Sequence, residues 1–106
     1  MMKYRVKATI YNKRNRIISM GYNSYTKTHP KQYYYASRVG LSEKCFLHAE
    51  IAALIKCKED PYKIVIERYG KDGRPMLAKP CPICLEAIKD YNVKIVEFTG
   101  DELIGL

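Results

Sequence analysis

The sequence has no long apolar run, no internal repeat and no low-complexity linker. No stretch approaches the roughly 20 apolar residues of a membrane-spanning helix, so no membrane association is expected. Without a composition break, 106 residues leave room for one domain, residues 1–106. Residues 1–10 carry Lys3, Arg5 and Lys7 and lack the apolar core of a secretory signal, so a cytoplasmic location is expected. Acidic side chains are scarce: 11 Asp and Glu face 19 Lys and Arg, for a net charge of +8. That excess suits a phosphate-bearing partner, a nucleotide or a nucleic acid. The basic residues are spread rather than blocked, so they serve solubility equally well.

Nearly half of the residues, 47%, are apolar, which excludes a disordered chain. Residues 4–11 (YRVKATIY) alternate loosely and residues 16–22 (RIISMGY) form a second strand; the polar turn 12–15 between them predicts an opening β-hairpin. A helix started by Pro30 and ended at Gly40 is expected to include Tyr33, Tyr34 and Tyr35, of which at least two should pack in a core or an interface. Residues 46–58 carry Leu47, Ile51, Leu54 and Ile55 at helical spacing, with Asp60-Pro61 as the stop. A buried strand follows at 62–68, a loop at 69–75, a helix from Pro82 to about Tyr91 closed by Asn92, and a strand at 93–99. Gly100-Asp101 signals a hairpin turn, with a short edge strand at 102–106. Strands interleaved with helices predict an α/β fold with a mixed sheet.

The chemistry concentrates at two helix starts. His48 opens one; Cys81 and Cys84, in Pro80-Cys81-Pro82-Ile83-Cys84, open the other. A second paired-cysteine motif is absent, which excludes a zinc ribbon. One imidazole and two thiolates make a three-ligand zinc set, and a set of three leaves a coordination position open for catalysis. The positive ends of both helices favour the thiolate form that a metal needs. Glu50 is the candidate proton carrier. Two residues apart, His48 and Glu50 would diverge on a regular helix, so the metal must lie beyond the helix end. Ala49 between them is small enough to let a flat ring approach the backbone. Cys45 and Cys57 flank the same helix and read as small buried residues. His29, Lys27 and Lys31 fall in or near a loop expected to border the pocket.

His48-Ala49-Glu50 together with Pro80-Cys81-Pro82-Ile83-Cys84 closely resembles the zinc-dependent cytidine and deoxycytidylate deaminase superfamily. The resemblance extends to residues 17–23, similar to the strand ending in Gly-x-Asn of nucleotide and polynucleotide deaminases. Taken whole, the chain looks like the small deaminase-like proteins of phages and large viruses. The resemblance implies a two-layer or three-layer sandwich around a mixed sheet of about five strands, with Zn2+ as cofactor.

It also implies hydrolytic deamination of cytosine in free (deoxy)cytidine or its monophosphate. Water activated by zinc attacks C4, and Glu50 carries protons to N3 and to the leaving ammonia. Asn23 would contact the sugar or base, and the Ala49 backbone and the carbonyls around Lys79 and Pro80 would grip the base edge. Apart from the resemblance, the place of His29 in the loop after Asn23 suits it either to stack on or hydrogen-bond the substrate or, equally, to stand in solvent. Two alternatives stand beside this reading. One is a polynucleotide deaminase acting on single-stranded DNA or RNA, tRNA adenosine included; the other is an inactive nucleic-acid-binding module on the same scaffold. Against the family pattern, no helix precedes the first strand, which should leave one sheet face bare and open to homo-oligomer formation. The helix after Glu50 lacks the asparagine that deoxycytidylate deaminases often carry there. The chain ends soon after Gly100, without residues for the extra helix of tRNA and single-strand DNA deaminases, which favours the free-nucleoside type.

Overall fold

The structure is a computed structural model and describes residues 5–41, 46–70 and 73–99. Two antiparallel strands open the fold, β1 (Arg5–Tyr11) and β2 (Ile17–Tyr22). The turn between them is built by Asn12, whose Oδ1 accepts the N–H groups of Arg14 and Arg16, both at 3.0 Å. Asn15 takes a left-handed φ of 64° to bring the chain back.

Helix α1 (Pro30–Arg38) starts at Pro30 and is followed by Gly40 at a φ of 75°, as the proline and glycine predicted. Helix α2 (Ala49–Lys56) begins three residues later than the apolar pattern from Phe46 suggested. The reason is that residues 46–48 are extended. Phe46 bridges to Thr28, the Leu47 N–H donates to the Lys27 carbonyl, and the Leu47 carbonyl accepts from the Ser24 N–H. His48 thereby becomes the N-cap of α2, with β-like backbone angles.

Strand β3 (Lys63–Tyr69) pairs with β1 along its whole length. Its other edge is shared. β5 (Ile95–Phe98) runs parallel to residues 63–66, while β4 (Pro75–Met76) pairs antiparallel with Arg68 and Tyr69. The sheet is therefore mixed and five-stranded. β4 occupies part of what the sequence suggested was a plain loop; two residues are too few to show a period. Thr99 seals the junction of β4 and β5. Its hydroxyl donates to the Met76 carbonyl and accepts from the Arg68 N–H, and its carbonyl accepts from the Ala78 N–H. Helix α3 (Pro82–Asp90) has Pro82 in its first turn, and Asn92, at a φ of 59°, follows its end. The hairpin turn at 100–101, the edge strand expected at 102–106 and Cys45 lie outside the described residues.

Register explains the layering. Ala8 pairs with Gly21 and Ile66, and Ile10 with Ser19 and Ile64, so these residues share one face. Against that face α2 packs on β1 and β2, with α1 and α3 packed against it and each other, and Ala8, Ile10, Ile64 and Ile66 are fully buried with Ile51, Leu54 and Ile83. Each such isoleucine or leucine contributes about 1.5–3 kcal/mol of burial. The opposite face, bearing Lys7, Met20, Tyr22 and Glu67, carries no helix among the described residues. Tyr35 is buried, whereas Tyr33 and Tyr34 are more than half or half exposed, at 57% and 50%. Packing into the core therefore holds for one of the three tyrosines. Arg38, at the end of α1, reaches α3 with ion pairs to Glu86 (2.8 Å) and Asp90 (2.6 Å).

Helix α2 sits on the sheet backbone to backbone. A Cβ placed on Gly21 would lie 2.5 Å from the Ala53 nitrogen, 2.6 Å from the Ala49 oxygen and 2.9 Å from the Ala52 carbonyl carbon. No rotamer change can relieve overlaps with main-chain atoms. Gly21→Ala should thus cost at least the upper end of the roughly 1–3 kcal/mol typical of overpacking, read as a lowered Tm of the zinc-loaded protein. An unchanged Tm would mean that α2 does not approach this closely.

Candidate metal centre

The N-cap of α2 and the N-cap of α3 bring three donor atoms together. His48 Nδ1 lies 3.3 Å from Cys84 Sγ and 3.5 Å from Cys81 Sγ, and all three atoms fall within 4.8 Å of one another. Neither His48 nor Cys81 spends its side chain on capping its own helix. With Zn–N near 2.0 Å and Zn–S near 2.3 Å, a tetrahedral ion sets an N···S edge of about 3.6 Å. The observed spacings fit that edge, and the soft and borderline donors fit zinc.

Protonation follows the contacts. The Cys81 thiol is lowered to about 4, first by the hydrogen bond from Cys84 and then by His48, with burial opposing. The Cys84 thiol, the donor in that bond, is pushed well up by it and by its own burial. Glu50 is 6% exposed, and burial holds its carboxyl above the usual carboxylate range. Its own backbone N–H and the His48 charge pull the other way. Glu50 lies one residue beyond Ala49 in the first turn of α2, where its carboxylate meets the Cys84 thiol. The divergence expected of residues two apart on a helix is avoided because His48 precedes the helix.

A cavity of about 470 Å3 opens over this group, with His48, Ala49, Glu50 and Cys81 among its lining residues. Asn23 and Lys79 also line it, while His29 and Pro80 do not. Asn23 is tied to Val6 twice: its N–H donates to the Val6 carbonyl and its Oδ1 accepts the Val6 N–H at 3.0 Å. His29 caps α1, accepting the Lys31 N–H on Nδ1 at 3.0 Å. Pro80 is buried beside Cys81. Cys57 is a half-buried C-cap residue whose thiol donates to the Glu59 carbonyl.

Two residues at the site escaped the reading of the sequence. Arg68 lines the cavity, and it stands on β3 in the same alternation as Ile64 and Ile66, so an arginine in the core-facing register was the available signal. Gln32 is fully buried in α1, and its Oε1 accepts the His48 N–H at 3.1 Å. A polar residue on the helix face shared with Tyr35 and Ala36 was the signal there.

The family model described as the cytidine and deoxycytidylate deaminase zinc-binding region matches residues 1–99. No curated protein matches the chain.

Proposed function

The chain belongs to the cytidine and deoxycytidylate deaminase family, with Zn2+ as its cofactor, and on that premise we propose that it hydrolyses cytosine in free (deoxy)cytidine or its monophosphate, releasing ammonia and the uracil product. The observation that carries this is the placement of Glu50 and the His48–Cys81–Cys84 group at a cavity of about 470 Å3, within the roughly 300–1,000 Å3 of small-molecule sites. His48, Cys81 and Cys84 hold the ion. When bound, zinc supplies Lewis-acid activation of water, lowering its pKa from about 15.7 toward about 7.

Glu50 does the proton work. Its carboxylate takes the proton of the attacking water, delivers it to N3 of the ring, and later passes a proton to the departing amino group at C4. The ring then holds C=O in place of C–NH2, and ammonia leaves. Burial suits the group to accepting the proton, because a carboxyl raised above its ordinary range takes one more readily, and it brings the carboxyl's proton affinity closer to those of the groups it exchanges with. The Ala49 backbone and the chain at Lys79 grip the base edge. Asn23, anchored on Val6, contacts the sugar or base.

A second reading has its own support. Next to the first cavity lies another, of about 400 Å3, which shares Asn23, Ser24 and Leu47 with it and adds Lys27 and Lys56. A flanking nucleotide of a single strand would fit there, its phosphate near the two lysines.

One assay separates the readings. The zinc-loaded protein is incubated with cytidine, deoxycytidine, their monophosphates and a cytosine-bearing oligonucleotide, and ammonia and uracil are measured. Turnover of a mononucleoside or mononucleotide is expected. Turnover confined to the oligonucleotide rejects the free substrate in favour of the polynucleotide, and salt-sensitive oligonucleotide binding without any turnover rejects both.

A further inference from the structure

We propose that Gln32 is a positioning residue for the metal centre: from α1 it fixes the backbone of His48 so that the imidazole meets the two cysteine sulfurs. The proposal rests on the zinc site described above and adds a residue outside it.

The N-cap of α2 presents an unusual accounting problem. A capping residue ordinarily turns its side chain onto the N–H groups of the first turn. His48 does not, because its ring is committed to Cys81 and Cys84. In a capping box, a Glu or Gln at the third helical position reaches back to the N–H of the capping residue. Here that position is Ile51, which has no acceptor. Gln32 supplies the missing acceptor from another helix, through Oε1 at 3.1 Å. The His48 carbonyl is meanwhile engaged by the Ala52 N–H, and the preceding Leu47 by Ser24 and Lys27. With both backbone groups of His48 occupied, the ring retains only its own torsions.

Burial strengthens the inference. Gln32 has no exposed surface and lies on the helix face shared with Tyr35 and Ala36. A buried amide that loses its partner is destabilising, so its presence there calls for a specific partner. The bond also gives α1 a role. Its last residue, Arg38, holds Glu86 and Asp90 of the cysteine-bearing helix, and its first turn holds His48 at the start of α2. Helix α1 thus spans the two elements that deliver the donors.

The test measures zinc affinity by chelator competition and the absorption spectrum of the Co2+-loaded protein. It compares wild type, Gln32→Met, Gln32→Glu and Ser19→Ala. Methionine and glutamate both lose the amide N–H2 of Gln32, but only methionine loses the acceptor. Ser19→Ala removes the 2.7 Å bond to the Ala53 carbonyl on the far flank of α2 and reports plain loss of stability. Gln32→Met should bind zinc roughly 10–100-fold more weakly, the range for lost outer-shell partners, with altered Co2+ bands. Gln32→Glu and Ser19→Ala should keep wild-type bands and affinity to within a few-fold. Wild-type values in Gln32→Met, or equal losses in Gln32→Glu or Ser19→Ala, would overturn the proposal. Absence of zinc binding by the wild type would instead reject the metal centre itself. Should Gln32→Met not fold, amide hydrogen exchange of zinc-loaded wild type decides: His48 must exchange slowly, and exchange at the rate of an open loop refutes the bond.

Discussion

Replacing Glu50 by glutamine should leave the protein folded and loaded with one zinc, yet slow deamination by a factor of at least the roughly 10²–10⁴ attributed to a positioned acid or base. Glutamine matches the size of the carboxyl and preserves packing at a position only 6% exposed, so a loss of rate cannot be assigned to a collapsed cavity. What it removes is the ability to accept a proton in one step and return it in another. Deamination needs both, since the attacking water must shed a proton and the amino group must gain one before it can leave. His48 and Cys81, which line the cavity with Glu50, belong to the donor group for the ion. The measurement is kcat for ammonia release alongside zinc content by elemental analysis. A zinc-loaded Glu50→Gln protein with wild-type kcat would remove Glu50 from the chemistry.

The second large effect is expected from Cys84→Ala. Cys84 is fully buried at the first turn of α3, 3.3 Å from His48 Nδ1. Its loss leaves two protein donors, and two donors do not hold zinc against a competing chelator. The fall in affinity should exceed the roughly 100-fold that marks the loss of an outer-shell partner. Because a metal that binds only the folded chain adds its binding free energy to folding, the Tm in the presence of zinc should fall toward that of the chelator-treated wild type. Cys57→Ala is the matched control. That thiol bonds the Glu59 carbonyl at the far end of α2 and is not part of the donor group, so zinc content and activity should both persist. Zinc retained at full affinity by Cys84→Ala would mean that a different set of donors holds the ion.

The legibility of this molecule in its sequence divides along physical lines. Wherever a property repeats along the chain, it could be read: the alternation of β1 and β2, the apolar spacing of α2, the proline that starts α3. The donors were legible because their chemistry is rare and their spacing is tied to helix starts. The start of α2 was misplaced by three residues because Phe46 and Leu47 continue the apolar pattern while their backbones are held extended by Ser24, Lys27 and Thr28. Nothing local to Phe46 announces partners some twenty residues away. β4 was invisible for want of length, and Thr99, which closes the junction beside it, is one threonine among ordinary strand residues. Gly21 was read as part of a Gly-x-Asn run, yet its physical reason, the main chain of α2 lying against it, belongs to tertiary packing. Gln32 and Arg68 stood in apolar registers and could have been flagged, but which atoms they would meet depends on how the helices are stacked.

One consequence follows from where the chain divides. Among the described residues, β1, β2, α1 and α2 all precede Cys57, and β3, β4, α3 and β5 all follow from Lys63 onward. The two halves meet along the pairing of β1 with β3 and along the contacts of α3 with α1 and α2. His48 belongs to the first half and both cysteines to the second, and the ion pairs of Arg38 with Glu86 and Asp90 cross between the same halves. An ion held by all three donors is therefore a clasp across that seam. Loading the metal and keeping the halves closed become one equilibrium, so the catalytic ingredient is also a latch on the fold.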